Sequence, residues 1–81
     1  MIENMHVYNL FLLLKTISEH ENKNISYIAR KSNKTHGYTL IKIKEFDAIG
    51  LLTLTPNGRN LLIKLTPKGI ALFDVMQKTL F

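Results

Sequence analysis

The residues of this chain that could do chemistry are its cations, and they are unevenly placed. Nine basic residues lie between Lys23 and Lys68 (Lys23, Arg30, Lys31, Lys34, Lys42, Lys44, Arg59, Lys64, Lys68) against Glu45 and Asp47, a local balance of +7. The flanks hold Lys15 and Lys78 against Glu3, Glu19, Glu21 and Asp74, a balance of −2. Solubility alone spreads charge more evenly, so the centre is expected to meet a polyanion. Catalysis has no footing: no two carboxylates are set together on one face of an element, no nucleophile has a nearby base, and no glycine-rich phosphate loop occurs. An enzyme is not expected. His6, His20 and His36 lack ligand spacing and there is no cysteine, so no metal, cofactor or disulfide is expected, which suits a cytoplasmic protein.

Among these cations, Arg59 raises a question of position. The stretch GRNLLIKLTPKG, residues 58–69, puts an arginine beside a turn and then returns at once to an apolar strand. The answer lies in the elements that carry it. At 81 residues the chain makes one domain with a thin core. Its longest apolar run, LFLLL at 10–14, is far too short for a membrane span, and the acidic N-terminus does not read as a signal peptide.

The first segment, 4–20, places Tyr8, Phe11, Leu14 and Ile17 at helical spacing, with Leu10 and Leu13 widening the stripe and Leu12 to its side. Ser26 is the expected N-cap of a short helix, 26–32, with Ile28 and Ala29 inward and Arg30 and Lys31 outward. SNK (32–34) is a turn in which Asn33 suits the left-handed conformation. Thr35 caps a helix over 35–49 with Ile43 and Phe46, and Thr39 or Leu40, on its inner face; Gly50 stops it. Ile41 is expected to join the core, its alternatives being a dimer seam or a thymine methyl. LLTLT and NLLIKL flank PNGR, so 51–65 is a hairpin, expected to turn on Asn57-Gly58 as type I′. Thr66 and Pro67 start a final helix, 66–80, with Ile70, Phe73, Met76 and Leu80 on one face and Leu72 and Val75 to the side. The expected fold is α+β and mostly helical: a winged helix-turn-helix with helical N- and C-terminal segments.

In this order of elements the sequence resembles the MarR-like winged helix-turn-helix regulators, including their small archaeal and viral relatives. NISYIARK matches the positioning helix, THGYTLIKIKEFDAIGLL the recognition helix and its exit, and GRNLLIKLTPKG the wing. The last is the most specific: an arginine, six residues later Leu-Thr, then a basic residue and glycine. The chain departs from relatives at Ser32 and Lys34, where leucines often lie under the turn, at Asn57, and at the apolar pair Leu40 and Ile41.

The resemblance implies a recognition helix in the major groove and Arg59 in an adjacent minor groove of double-stranded DNA. Thr35, His36, Gly37 and Tyr38 are then nearest the groove floor, and Thr39 is counted with them. Lys42 and Lys44, with Arg30, Lys31 and Lys34, are expected on phosphates. The apolar excess of the terminal helices (Leu12, Leu13, Leu72, Val75, Phe81) is expected to join two copies. The reading is therefore a sequence-specific DNA-binding regulator, homodimeric and nucleoid-associated. Its rivals are a protein–protein winged helix within a larger assembly and a non-specific chromatin protein.

Overall fold

The computed structural model describes the backbone of residues 2–80 and the side chains of residues 7–80. The chain runs α1 (Ile2–Glu19), α2 (Ile25–Lys31), α3 (His36–Ala48), β1 (Leu52–Asn57), β2 (Asn60–Leu65) and α4 (Pro67–Leu80). This is the winged helix-turn-helix order. Caps set most of the boundaries. Thr35 accepts a hydrogen bond from the Tyr38 amide at 3.1 Å and starts α3 as expected. The cap of α2 is Asn24, not Ser26: its side-chain oxygen accepts from the Tyr27 amide at 2.9 Å. Ser26 is left with an exposed side chain inside the first turn.

Both α2 and α3 end in the same way. Asn33 (φ 58°) and Gly50 (φ 80°) turn left-handed one residue past each helix cap. The following amides then close back, Lys34 N–H to the Ala29 carbonyl (2.9 Å) and Leu51 N–H to the Phe46 carbonyl (2.9 Å). This satisfies carbonyls that would otherwise be orphaned and sends the chain off sharply. After α3 it sends Leu51 and Leu52 straight into the core.

The hairpin differs from expectation in its turn. Asn57 pairs with Asn60, so Gly58 and Arg59 are the two central residues, and of the turn residues only Gly58 has positive φ (64°). That is the type II′ pattern, which needs glycine at the first central position alone. Asn57 therefore belongs to the strand, and Arg59 to the tip itself. The wing is braced at its base. Asn22 takes φ 61°, its amide donates to the Ile63 carbonyl at 2.8 Å, and the Ile63 amide donates to the Lys23 carbonyl at 3.0 Å. The α1–α2 connection is thus tied to β2 by a single antiparallel bridge, Lys23 to Ile63.

One core joins these elements: Leu13, Leu14 and Ile17 of α1, Ile28 of α2, Ile43 and Phe46 of α3, and Leu51, Leu52, Ile63 and Leu65 around the hairpin. Phe11 stacks on Phe73 with centroids 5.3 Å apart, tying α1 to α4. Three sequence assignments are corrected by this packing. Leu13 is 1% exposed and belongs to the core, so it cannot join two copies; the wider stripe of α1 is absorbed by α2 and the sheet. Ile41 is 57% exposed rather than buried. Ile70 is half exposed, because α4 turns Gly69, Phe73 and Met76 inward instead.

The start of α4 explains the return of the wing to the core. Thr66 Oγ1 donates to the Gly50 carbonyl at 2.6 Å, and Lys68 Nζ donates to the Ile49 carbonyl at 2.7 Å. The Thr66 amide donates to the Leu51 carbonyl at 3.0 Å. Thr-Pro-Lys-Gly thus clips onto the exit of α3, Lys68 placing its charge on the negative end of that helix. Strand β2 is held at Ile63 and just past its end at Thr66, so the tip projects from a fixed base.

Candidate nucleic-acid interface

The first turn of α3 presents His36 and Gly37 to solvent, and nothing lies within 4 Å of where a Gly37 side chain would begin. Tyr38 is half-buried, with Lys34 and Lys42 ammonium groups each 5.8 Å from its ring centre. Thr39 is removed from the contact set. It is fully buried, and its hydroxyl donates to the Thr35 carbonyl at 2.8 Å. The helix phase that buries Thr39, Ile43 and Phe46 leaves Gly37, Ile41 and Lys44 exposed at spacings of four and three, which is one outward face. Ile41 stands at its middle, where an apolar side chain suits a thymine methyl.

The expected phosphate cations have different surroundings. Arg30, Lys31, Lys44 and Arg59 are exposed and have no acidic partner among the described residues. Lys42 pairs with Glu45 at 3.1 Å and keeps only 18% of its side chain exposed. Lys34 reaches back to Asn9 Oδ1 at 3.0 Å, tying the turn to α1 at a position where the resemblance leads one to expect a leucine. Ser32, the other departure, donates its hydroxyl to the Ile28 carbonyl at 2.7 Å and supports the end of α2.

Tyr27 is a centre that the sequence did not disclose. Lys23, Arg30 and Lys31 surround its ring at 5.2, 5.5 and 5.5 Å from the centroid, and its hydroxyl lies 3.3 Å from His20 Nδ1. The ring face attracts each cation, but only by about 0.5–1 kcal/mol at an exposed site. Three like charges gathered without a carboxylate make a place for an anion. Lys23 was read as part of a charge count; only the fold brings it to Arg30.

Arg59, on the wing tip, lines a cleft of about 160 Å³ together with His36, Asn24, Ser26 and Asn60. A second cleft, about 290 Å³, contains Tyr27, Lys23 and Arg30 and shares Asn24 and Ser26 with the first. The wing tip, the start of α3 and the Tyr27 cluster therefore form one continuous surface. The apolar candidates lie elsewhere, on the terminal helices. Leu72 and Val75 are 38% and 58% exposed, Leu12 is half-buried, and Phe81 lies outside the described residues. Among the described residues no helix is long and apolar enough to cross a membrane.

The fold defined here is the winged helix-turn-helix of MarR-type regulators, and solved structures share it. The AF1382 protein of Archaeoglobus fulgidus superposes with a TM-score of 0.76 at 28% identity, over 89% of this chain and 82% of that one. The transcriptional repressor CouR, bound to a 23-mer DNA duplex, gives 0.78 at 21% identity, over 84% of this chain and 50% of its own. The multiple antibiotic-resistance repressor of Listeria monocytogenes gives 0.77 at 16%, over 86% and 48%. The chain thus spans about half the length of these two repressors. No protein-family model matches the sequence, and no curated protein does.

Proposed function

We propose that this protein is a DNA-binding transcriptional regulator that reads duplex DNA as a homodimer, with α3 in the major groove and the wing in the adjacent minor groove. The observation that carries the reading is the set of exposed cations without acidic partners, Lys23, Arg30, Lys31, Lys44 and Arg59, on the helix-turn-helix, the connection leading into it and the wing. Repressors of the same fold supply the precedent, one of them bound to a duplex. Gly37 lets the backbone approach base edges, Ile41 and Tyr38 meet them, and the cations hold phosphates. A protein–protein module would need a strongly acidic partner to match so many uncompensated cations.

Arg59→Ala tests the wing. The side chain is on the solvent-facing tip, so the variant should melt like the parent. It should lose affinity most on duplexes flanked by A·T pairs, whose narrow minor groove concentrates negative potential. Equal binding of parent and variant to A·T-flanked and G·C-flanked duplexes would remove the wing from the reading. The homodimer rests on the exposed apolar residues Tyr8, Leu72, Val75 and Leu80 of α1 and α4, on the flanks, whose charge balance is −2. A two-fold pair would set its recognition helices roughly 34 Å apart, one turn of DNA. Sedimentation should report a dimer at micromolar protein; a monomer at high micromolar concentration ends this part of the proposal.

A further inference from the structure

We infer that the cleft between the wing and the start of α2 is a seat for one backbone phosphate, on the strand that separates the two grooves, held mainly by uncharged donors. The inference rests on the DNA reading above. A helix in the major groove and a hairpin tip in the neighbouring minor groove have a single sugar–phosphate strand between them. His36, at the start of α3, and Arg59, at the wing tip, line the same cleft, so that strand must cross it. At about 160 Å³ the cleft has room for a phosphate and part of a sugar, and no carboxylate lines it.

Its floor is built. Asn24 Nδ2 donates to Asn60 Oδ1 at 3.3 Å, while Asn24 Oδ1 is engaged by the Tyr27 amide in capping α2. This leaves the Asn60 amide N–H groups and the exposed Ser26 hydroxyl as donors with no other side-chain partner among the described residues. One asparagine pair thus fixes the spacing between the helix cap and the wing strand, and the free donors open into the space between them. Uncharged donors position a phosphate without displacing counterions, which separates them experimentally from the lysines.

The test uses Ser26→Ala and Asn60→Asp in the full chain, with duplexes that carry a neutral methylphosphonate at one backbone position at a time. Neither substitution removes a core contact, and the aspartate keeps the oxygen that accepts from Asn24; thermal melts confirm the fold. Ser26→Ala should weaken binding several-fold with the salt slope of the parent. Asn60→Asp should weaken it on the order of tenfold or more, by setting a carboxylate against the phosphate. At one backbone position, between the two grooves, the neutral linkage should weaken the parent and relieve Asn60→Asp. If no position behaves so while the parent binds duplex DNA, the seat does not exist and the DNA reading stands. If the parent binds no duplex at low salt, both fall together.

Discussion

Gly69→Ala should cost this domain about 3 kcal/mol or more, a large share of the roughly 4–12 kcal/mol expected for its length. Gly69 is buried in the first turn of α4, and a methyl group there would collide with the Leu51 carbonyl oxygen and press on Leu65 Cδ2 at 3.3 Å. The carbonyl is backbone, itself bonded to the Thr66 amide, so neither side can swing away as a side-chain end would. The helix has to lift, and the Thr66 and Lys68 clips onto Gly50 and Ile49 lift with it. A thermal melt should fall by roughly 12–24 °C. Gly37→Ala is the control. Open space surrounds it in α3, so the melt should hold or rise slightly while duplex binding weakens, because the methyl stands between helix and groove. An unchanged melt for Gly69→Ala would mean that α4 does not dock on the exit of α3 in this way.

Duplex affinity should fall on the order of a thousandfold or more between about 50 and 200 mM salt. Lys23, Arg30, Lys31, Lys44 and Arg59 have no acidic partner among the described residues, so two copies bring about ten such cations to a site. If about 6–10 phosphates are neutralised, the logarithmic slope is roughly −5 to −9. Lys44→Ala should flatten that slope by about one per engaged subunit, on every sequence alike. Lys42→Ala should change it less, since Lys42 is already paired with Glu45. A flat salt dependence would mean that the basic surface does not meet the phosphates.

Most of the fold was legible in the sequence because it is written in local chemistry. Thr35, Asn33, Gly50 and the Thr66-Pro67 pair are residues whose backbone preferences set a boundary by themselves, and all of them act where expected. The turn was read one residue early because both Asn57-Gly58 and Gly58-Arg59 satisfy hairpin chemistry. Only the pairing of Asn57 with Asn60 chooses between them. The errors in burial have one origin: where hydrophobic positions adjoin, periodicity cannot fix the helix phase to better than a residue. Ile41 went outward for that reason, and of the pair Thr39 or Leu40 it is Thr39 that takes the inner face of α3. What could not be read was convergence. Lys23 with Arg30 around Tyr27, and Asn24 with Asn60 across 36 residues, are brought together where the α1–α2 connection bridges Lys23 to Ile63 of the wing. The reason for Gly69 was hidden likewise, since its neighbour Leu51 lies in another element.

The central claim is that duplex DNA lies across α3, α2 and the wing tip. A titration of the isotope-labelled protein with duplex DNA at low salt, followed amide by amide, tests it most directly. Shifts are expected at Asn24–Lys31, His36–Lys44 and Asn57–Asn60, with Asn60 and the first turn of α3 among the largest. The outward faces of α1 and α4, around Tyr8 and Val75, should stay still. Shifts confined to those terminal helices, or none at all, would contradict the claim and leave this winged helix as a surface for another protein.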